Sequence, residues 1–244
     1  MKKEILIHSR ASLVFALALA SVTAAQADIW NNGDLTTYTQ SSWGGDPSVD
    51  GGAALLVGSY DTVYAGNFGL VTVGSSSGFT MTFTDADSVR TYLPSIGFFA
   101  PLNGSVVNPI ATASGAFGGE VLGLELNVDF SDAGLLPGSS GIRFGDLVLE
   151  NFTTQPVFND LTVRQFLGDV NTLLGAGTTI FTIADLDGMV GALNAAFSDG
   201  TPTAFAQAHL VAPTSTSTVP EPSSWLLLIP AVLALGWRRR LRAH

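Results

Sequence analysis

Ala116–Phe130 reads AFGGEVLGLELNVDF, and two periodicities overlap in it. Leu122, Leu124, Leu126, Val128 and Phe130 alternate with small or polar residues, as in a strand with one buried face. Phe117, Val121, Leu124 and Val128 equally mark one face of a helix. The run is long for a strand, and its Leu and Glu content favours a helix, although its glycines do not. The helical reading is adopted here.

The segments on either side are less ambiguous. Residues 69–73 (GLVTV) and 78–84 (GFTMTFT) are β-patterned and joined by Gly74-Ser75-Ser76-Ser77, which predicts a hairpin. Phe79, Met81 and Phe83 would share its buried face. Thr84 is placed to cap a short helix over 85–93, with Asp85 and Asp87 in its first turn and Pro94 ending it. Downstream, 142–152 (IRFGDLVLENF) reads as a strand. The spacing of Val163, Phe166, Leu167, Val170 and Leu174 predicts a helix over 162–174, opened by Thr162 and closed by Gly175. A second helix is expected over 183–198, capped by Thr182 and stopped by Gly200 and Pro202. The two would form a helical hairpin around Gly175-Ala176-Gly177. The Gly- and Asn-rich stretch 28–52 reads as irregular, and no internal repeat is present. The fold class is therefore α+β, with an early β-hairpin and strands and with helices in the C-terminal half.

The chain has 244 residues, 46% of them hydrophobic and 12% charged, with no cysteine. It is long enough for a sizeable core. The missing cysteines exclude disulfides, thiolate metal sites and Cys nucleophiles. The net charge of −10 is unevenly spread. Residues 28–222 hold nineteen carboxylates against three cations, Arg90, Arg143 and Arg164, and no lysine. Such a body repels nucleic acid and anionic lipid. The remaining cations sit at the two ends.

The N-terminus has the three parts of an export signal. Lys2 and Lys3 make a basic start, Ala11–Ala20 (ASLVFALALA) an apolar run, and Ala25-Gln26-Ala27 a small-x-small cleavage site. At the other end, residues 213–218 (PTSTST) form a Ser/Thr/Pro linker. Pro220-Glu221-Pro222 follows, then the apolar run Trp225–Trp237 (WLLLIPAVLALGW), then a tail with Arg238, Arg239, Arg240 and Arg242. As a helix the apolar run spans ~20 Å against ~30 Å of hydrocarbon. Trp225 and Trp237 would lie at the two interfaces, and the arginines would stay cytoplasmic and act as a topological stop. The basic N-terminus would stay on the same side, with the acidic body across the membrane. The organisation expected is a signal peptide (1–27), an exported globular body (28–212), the linker (213–218) and a sorting signal (219–244).

Pro-Glu-Pro, a hydrophobic helix and a terminal Arg cluster together resemble the PEP-CTERM sorting domain. The resemblance covers about the last 26 residues and leaves the body unassigned. It implies a Gram-negative source that makes extracellular polysaccharide, processing near Pro220, Glu221 and Pro222 by an exosortase-like membrane enzyme, and delivery to the cell surface or the extracellular matrix of a biofilm. The physical logic of the motif is plain. Two prolines hold the intervening residue extended, the shape a protease cleft reads.

Candidate chemistry in the body is sparse. Gly74-Ser75-Ser76-Ser77-Gly78 matches G-x-S-x-G, but a nucleophile elbow needs a helix after it, and a strand is expected there. His209 is the body's single histidine. Three carboxylate pairs are close in sequence: Asp85/Asp87, Asp129/Asp132 and Asp185/Asp187. Those in first helical turns are accounted for by the helix dipole. Calcium is the cation that Asp46, Asp50 or residues 127–132 (NVDFSD) would take, since hard cations want oxygen ligands, although no EF-hand pattern is present.

The sequence thus predicts a non-enzymatic exported protein with no required cofactor. Its partners would be the secretion translocon, an exosortase-like enzyme and extracellular polysaccharide, and not nucleic acid. One alternative is a polysaccharide- or calcium-binding module using exposed aromatics such as Trp30 and Trp43; another is a carboxylate-based hydrolase. The expected signal cleavage follows Ala27. Edman sequencing of exported protein should begin at Asp28, and a product retaining Ala11–Ala20 would contradict this reading.

Overall fold

The computed structural model describes residues 29–186 and 188–213. Its centre is the ambiguous segment, and it is a helix. In chain order the helices are α1 (Gln40–Trp43), α2 (Gly51–Tyr64), α3 (Ala86–Tyr92), α4 (Gly115–Asp132), α5 (Val163–Leu174), α6 (Ile183–Leu186), α7 (Met189–Asn194) and α8 (Ala204–His209). The strands are β1 (Val71–Gly74), β2 (Thr80–Phe83), β3 (Val106–Val107), β4 (Val148–Leu149) and β5 (Leu210–Val211). The class is α+β.

The double periodicity of α4 has a simple cause. Phe117, Val121, Leu122, Leu124, Leu126, Val128 and Phe130 are all buried, so nearly every face of the helix meets the core. An all-round apolar helix carries apolar residues at strand spacing as well as at helix spacing. Its neighbours α1, α5, α7 and β1 all pack on it. One continuous apolar cluster runs from Trp30 to Leu210 around this helix.

The expected hairpin forms. β1 and β2 are antiparallel, Val71 opposite Phe83 and Val73 opposite Met81, and these four side chains are buried on one face. β3 joins β2 in parallel, Met81 opposite Val106. A separate antiparallel pair links β4 to β5, with Leu149 opposite Leu210. α5 has the boundaries its pattern implies. Thr162 Oγ1 accepts from the Gln165 N–H, and the Gln165 side chain accepts from the Thr162 N–H at 2.8 Å, a reciprocal capping box.

Several expectations are corrected. Helices are not confined to the C-terminal half and the short one expected over 85–93, which forms as α3: α1 and α2 precede it. α1 lies inside the supposedly irregular 28–52, and α2 begins there. The spacing of Ala53, Leu56, Tyr60 and Tyr64 is helical, but the run GGAALLVG around it masks the signal. The cap of α3 is Asp85 rather than Thr84, with Oδ1 accepting from the Ser88 N–H at 2.7 Å. The helix expected over 183–198 is split into α6 and α7, with Gly188 at φ 80°, a left-handed conformation that interrupts a helix. α5 and α7 do not close on each other as a hairpin; each packs on α4. Within 142–152 only Val148–Leu149 is strand, because Phe144–Asp146 winds into a 3-10 turn.

Glycine in α4 serves close approach. A Cβ at Gly119 would collide with the Gln40 side-chain oxygen and press on Ser95. Gly168, on the exposed side of α5, has open space around it. Helix propensity alone favours alanine at both, by about 1 kcal/mol. The two substitutions should therefore part company. Gly168→Ala should raise stability by about 0.5–1 kcal/mol, whereas Gly119→Ala should lower it by about 1–3 kcal/mol through overpacking. Urea melts of the two variants measure both signs.

Candidate functional site

The sorting residues Ala25, Ala27, Pro220, Glu221, Pro222, Arg238, Arg239, Arg240 and Arg242, and the sorting helix, lie outside the described residues. Among the described residues no helix is long and apolar enough to cross a membrane. The candidates within the body can be placed one by one.

Most of them have structural work. Ser75 Oγ and Ser77 Oγ bond to each other at 2.9 Å within the hairpin turn, which is followed by β2 and not by a helix. The His209 ring stacks on Phe152 at 4.1 Å, and its Nδ1 lies 2.9 Å from the Glu150 carbonyl oxygen, which fixes Nδ1 as the protonated nitrogen. Asp85 caps α3, and Asp87 pairs with Arg90 at 3.3 Å. Asp185 Oδ2 accepts from both the N–H and the hydroxyl of Thr182, each at 2.7 Å; Asp187 lies outside the described residues. Asp46 Oδ1 accepts from Ser48 N–H and Oγ, and Asp50 Oδ2 from the Asp46 N–H. Among the described residues no three carboxylate or imidazole side chains converge as a metal site.

The aromatics named for sugar binding are not at the surface. Trp43 is fully buried between Tyr38 and Phe130, at ring separations of 5.3 and 5.0 Å. Trp30 is buried against Phe197, and its indole N–H donates to the Leu210 carbonyl at 2.7 Å. Both are core residues, and neither can present a stacking face to a saccharide.

The third carboxylate pair divides in a more informative way. Asp132 leaves Asp129 and binds Arg164 in a bidentate fork at 2.7 and 2.8 Å, with Asp146 as a third partner at 3.2 Å. This occupies the guanidinium and strengthens its hold on its proton. Asp129 instead neighbours Glu125, one helical turn earlier on the same face of α4. The two line a cleft of about 410 Å³ together with Val63 and Tyr64 of α2, Leu70, and Val71 of β1.

The chemistry of this pair is unusual. Burial, then the Asp129 charge, pushes the Glu125 carboxyl up to about 7, against a hydrogen bond from Asn171 Nδ2 to Glu125 Oε2 at 2.8 Å. Burial also raises Asp129 to about 6, with Asp132 adding to the rise and Tyr64 and Arg164 opposing it. They titrate as a coupled pair. Asn171 is itself fixed, since its Oδ1 accepts from the Gly74 N–H at 2.7 Å. The Tyr64 hydroxyl lies beside Asp129, is almost wholly buried, and makes no hydrogen bond of normal geometry. The arrangement sets two carboxylates of one helix along a cleft, with the Tyr64 side chain from α2 beside them. Carboxylates one turn apart on one helix cannot stand on opposite sides of a glycosidic bond.

Neither Glu125 nor Tyr64 stands out as a site residue in the sequence. Glu125 is found by taking the helical reading of 116–130 and looking four residues before Asp129. Tyr64 belongs to α2, which the sequence pattern conceals. No family model, curated protein or solved structure matches the chain.

The raised carboxyls have a consequence for stability. The fold binds their protons more tightly than the unfolded chain does, so their contribution is fully present below about pH 4 and is lost as pH rises through 6 to 7. Each tenfold tightening is worth about 1.4 kcal/mol, so a loss of a few kcal/mol is expected between pH 4.5 and pH 8. Glu125→Gln should flatten about half of that slope, since burial keeps Asp129 raised. Urea unfolding as a function of pH, for both chains, measures it.

Proposed function

We propose that the chain is an exported, non-enzymatic protein of the cell surface or extracellular matrix, sorted and processed by an exosortase-like system. The observation that carries this reading is the tail: Pro220-Glu221-Pro222, the apolar run Trp225–Trp237 and the arginines at 238–240 and 242, on a chain that opens with a three-part export signal. The body agrees with it in two respects. It is strongly acidic and free of lysine, which keeps a surface protein soluble and off anionic headgroups. Its two ends also lie side by side, because Gln207 Oε1 accepts from the Trp30 N–H at 3.1 Å and Gln207 Nε2 donates to the Trp30 carbonyl at 2.6 Å. A leader and an anchor attached there leave the body on the same side, and both can reach one membrane.

In this reading Pro220, Glu221 and Pro222 are recognised in extended form, Trp225–Trp237 anchors the chain transiently, and the Arg cluster sets its orientation. Changing all three motif residues to Ala leaves the apolar run and the cluster intact. That variant should insert correctly and accumulate as a full-length membrane species. Removing the Arg cluster should reduce surface protein without leaving a well-oriented precursor. Fractionation with blots against the body and a C-terminal tag separates the two. Wild-type surface protein that keeps the tag would show a plain tail anchor instead.

A further inference from the structure

We infer that the cleft between α2, β1 and α4 is a binding site for a compact organic cation, an ammonium or guanidinium group, received by Glu125 and Asp129. The inference stands apart from the sorting proposal, since it rests on the body alone.

Four observations carry it. First, two carboxylates one turn apart share the cleft without a cation of their own. The guanidinium closest at hand, Arg164, is held by Asp132 and Asp146. Second, the Tyr64 hydroxyl is buried in the cleft wall with no hydrogen bond of normal geometry, although its residue is only 4% exposed. Its proton leans toward Asp129, and its lone pairs are unclaimed. Third, one of the two acceptors is held in place before any ligand arrives. Asn171 fixes Glu125 at 2.8 Å, and the Gly74 N–H fixes Asn171 at 2.7 Å. Fourth, the cleft is too large for a lone ion. At about 410 Å³, with Val63, Leu70 and Val71 on its walls, it has room for the carbon skeleton of a small amine or of a basic side chain.

The donor set also discriminates between cations. Calcium takes six to eight oxygen ligands. Three carboxylates line this cleft, but Asp132 is already engaged by Arg164, and among the described residues no three carboxylates converge as a metal site. An ammonium group needs about three acceptors, and two carboxylates with a phenol oxygen supply that number. The titratable groups around the pair come from three elements: Tyr64 from α2, Asp132 from α4 itself, and Arg164 from α5. The arginine opposes a cation, and its engagement by Asp132 and Asp146 reduces that opposition.

The experiment is an NMR titration of the folded body, residues 28–212, uniformly labelled with 15N, once its thermal unfolding has been shown to be cooperative. The probes are n-butylammonium chloride, the tripeptide Gly-Lys-Gly with blocked termini, sodium chloride at matched ionic strength, and calcium chloride. At pH 8 the amine should move the amides of residues 63–72 and 124–130 in a saturable way that sodium chloride does not reproduce. The pair takes up protons below neutrality, so the affinity should fall at least tenfold at pH 5. A tighter response to the tripeptide assigns the site to a partner's lysine, and a tighter response to butylammonium assigns it to a free amine; either supports the inference. Glu125→Gln with Asp129→Asn should reduce affinity at least tenfold. Tyr64→Phe, which keeps the ring and the packing, should reduce it about threefold. The inference is overturned if the amines act no differently from sodium chloride, if calcium alone saturates the site, or if the double variant binds as well as wild type while remaining folded.

Discussion

The side-chain amide of Asn127 is wholly buried on α4 and takes the place of a strand neighbour: its Oδ1 accepts from the Tyr38 N–H at 2.8 Å and its Nδ2 donates to the Tyr38 carbonyl at 2.8 Å. The extended segment before α1 thereby satisfies its main chain against a helix, with no sheet beside it. The same Nδ2 donates to Asn194 Oδ1 at 3.0 Å, and Asn194 Nδ2 donates to the carbonyl and carboxylate of Glu120 at 2.9 and 2.7 Å. Glu120 Oε1 in turn accepts from Gln40, whose Oε1 accepts from the Ser95 N–H. One chain of amides thus ties α4 to α1, to α7 and to the segment after α3. Each member is paired, which is the condition under which buried polar groups favour one arrangement over its competitors. Gly119 belongs to the same constraint, because Gln40 occupies the space its side chain would need.

With α4 buried on nearly every side, the strip bearing Glu125, Asp129 and Asp132 is where the central helix meets solvent. Charged groups on α4 are otherwise answered: Glu120 by two amides, Asp132 by Arg164. Glu125 has one neutral donor, and Asp129 has a tyrosine beside it without a proper bond. The contrast on a single helix is what separates a structural carboxylate from an available one. It also explains why the acidic pairs close in sequence are poor guides. Asp85 and Asp185 serve the first turns of short helices, where a carboxylate meets unpaired N–H groups.

The parts of the fold legible in sequence are those whose signal is local. The hairpin turn at 74–78 and the capping box of α5 are set by residues within a few positions of each other. The helical nature of 115–132 followed from length and composition, not from periodicity, because burial on all faces erases a preferred spacing. The break at Gly188 and the helix α2 escaped for opposite reasons. One glycine adopts a left-handed conformation that its neighbours do not announce, while the glycines around α2 suggest a loop where packing of Leu56, Tyr60 and Tyr64 holds a helix. The site was legible only in part. Asp129 is visible as an acidic residue, but its partner depends on the helix being a helix, and Tyr64 arrives from an element more than sixty residues away. Trp30 and Trp43 show the reverse error: aromatic residues in polar surroundings read as exposed, and tertiary contacts bury them.

The clasp between the two ends of the body bears on when the chain can fold. Trp30 finds its carbonyl acceptor on Leu210, 180 residues later, and Leu149 finds its strand partner there as well. A chain that is made, or moved, from its N-terminus onward presents Trp30 long before Leu210 exists on the same side. The indole, the Phe197 ring it packs on and the strand edge of Val148–Leu149 must therefore wait unfilled until the last stretch of the body emerges. Closure is written into the final helix and strand of the body, so these contacts form only once residues 204–211 have been made.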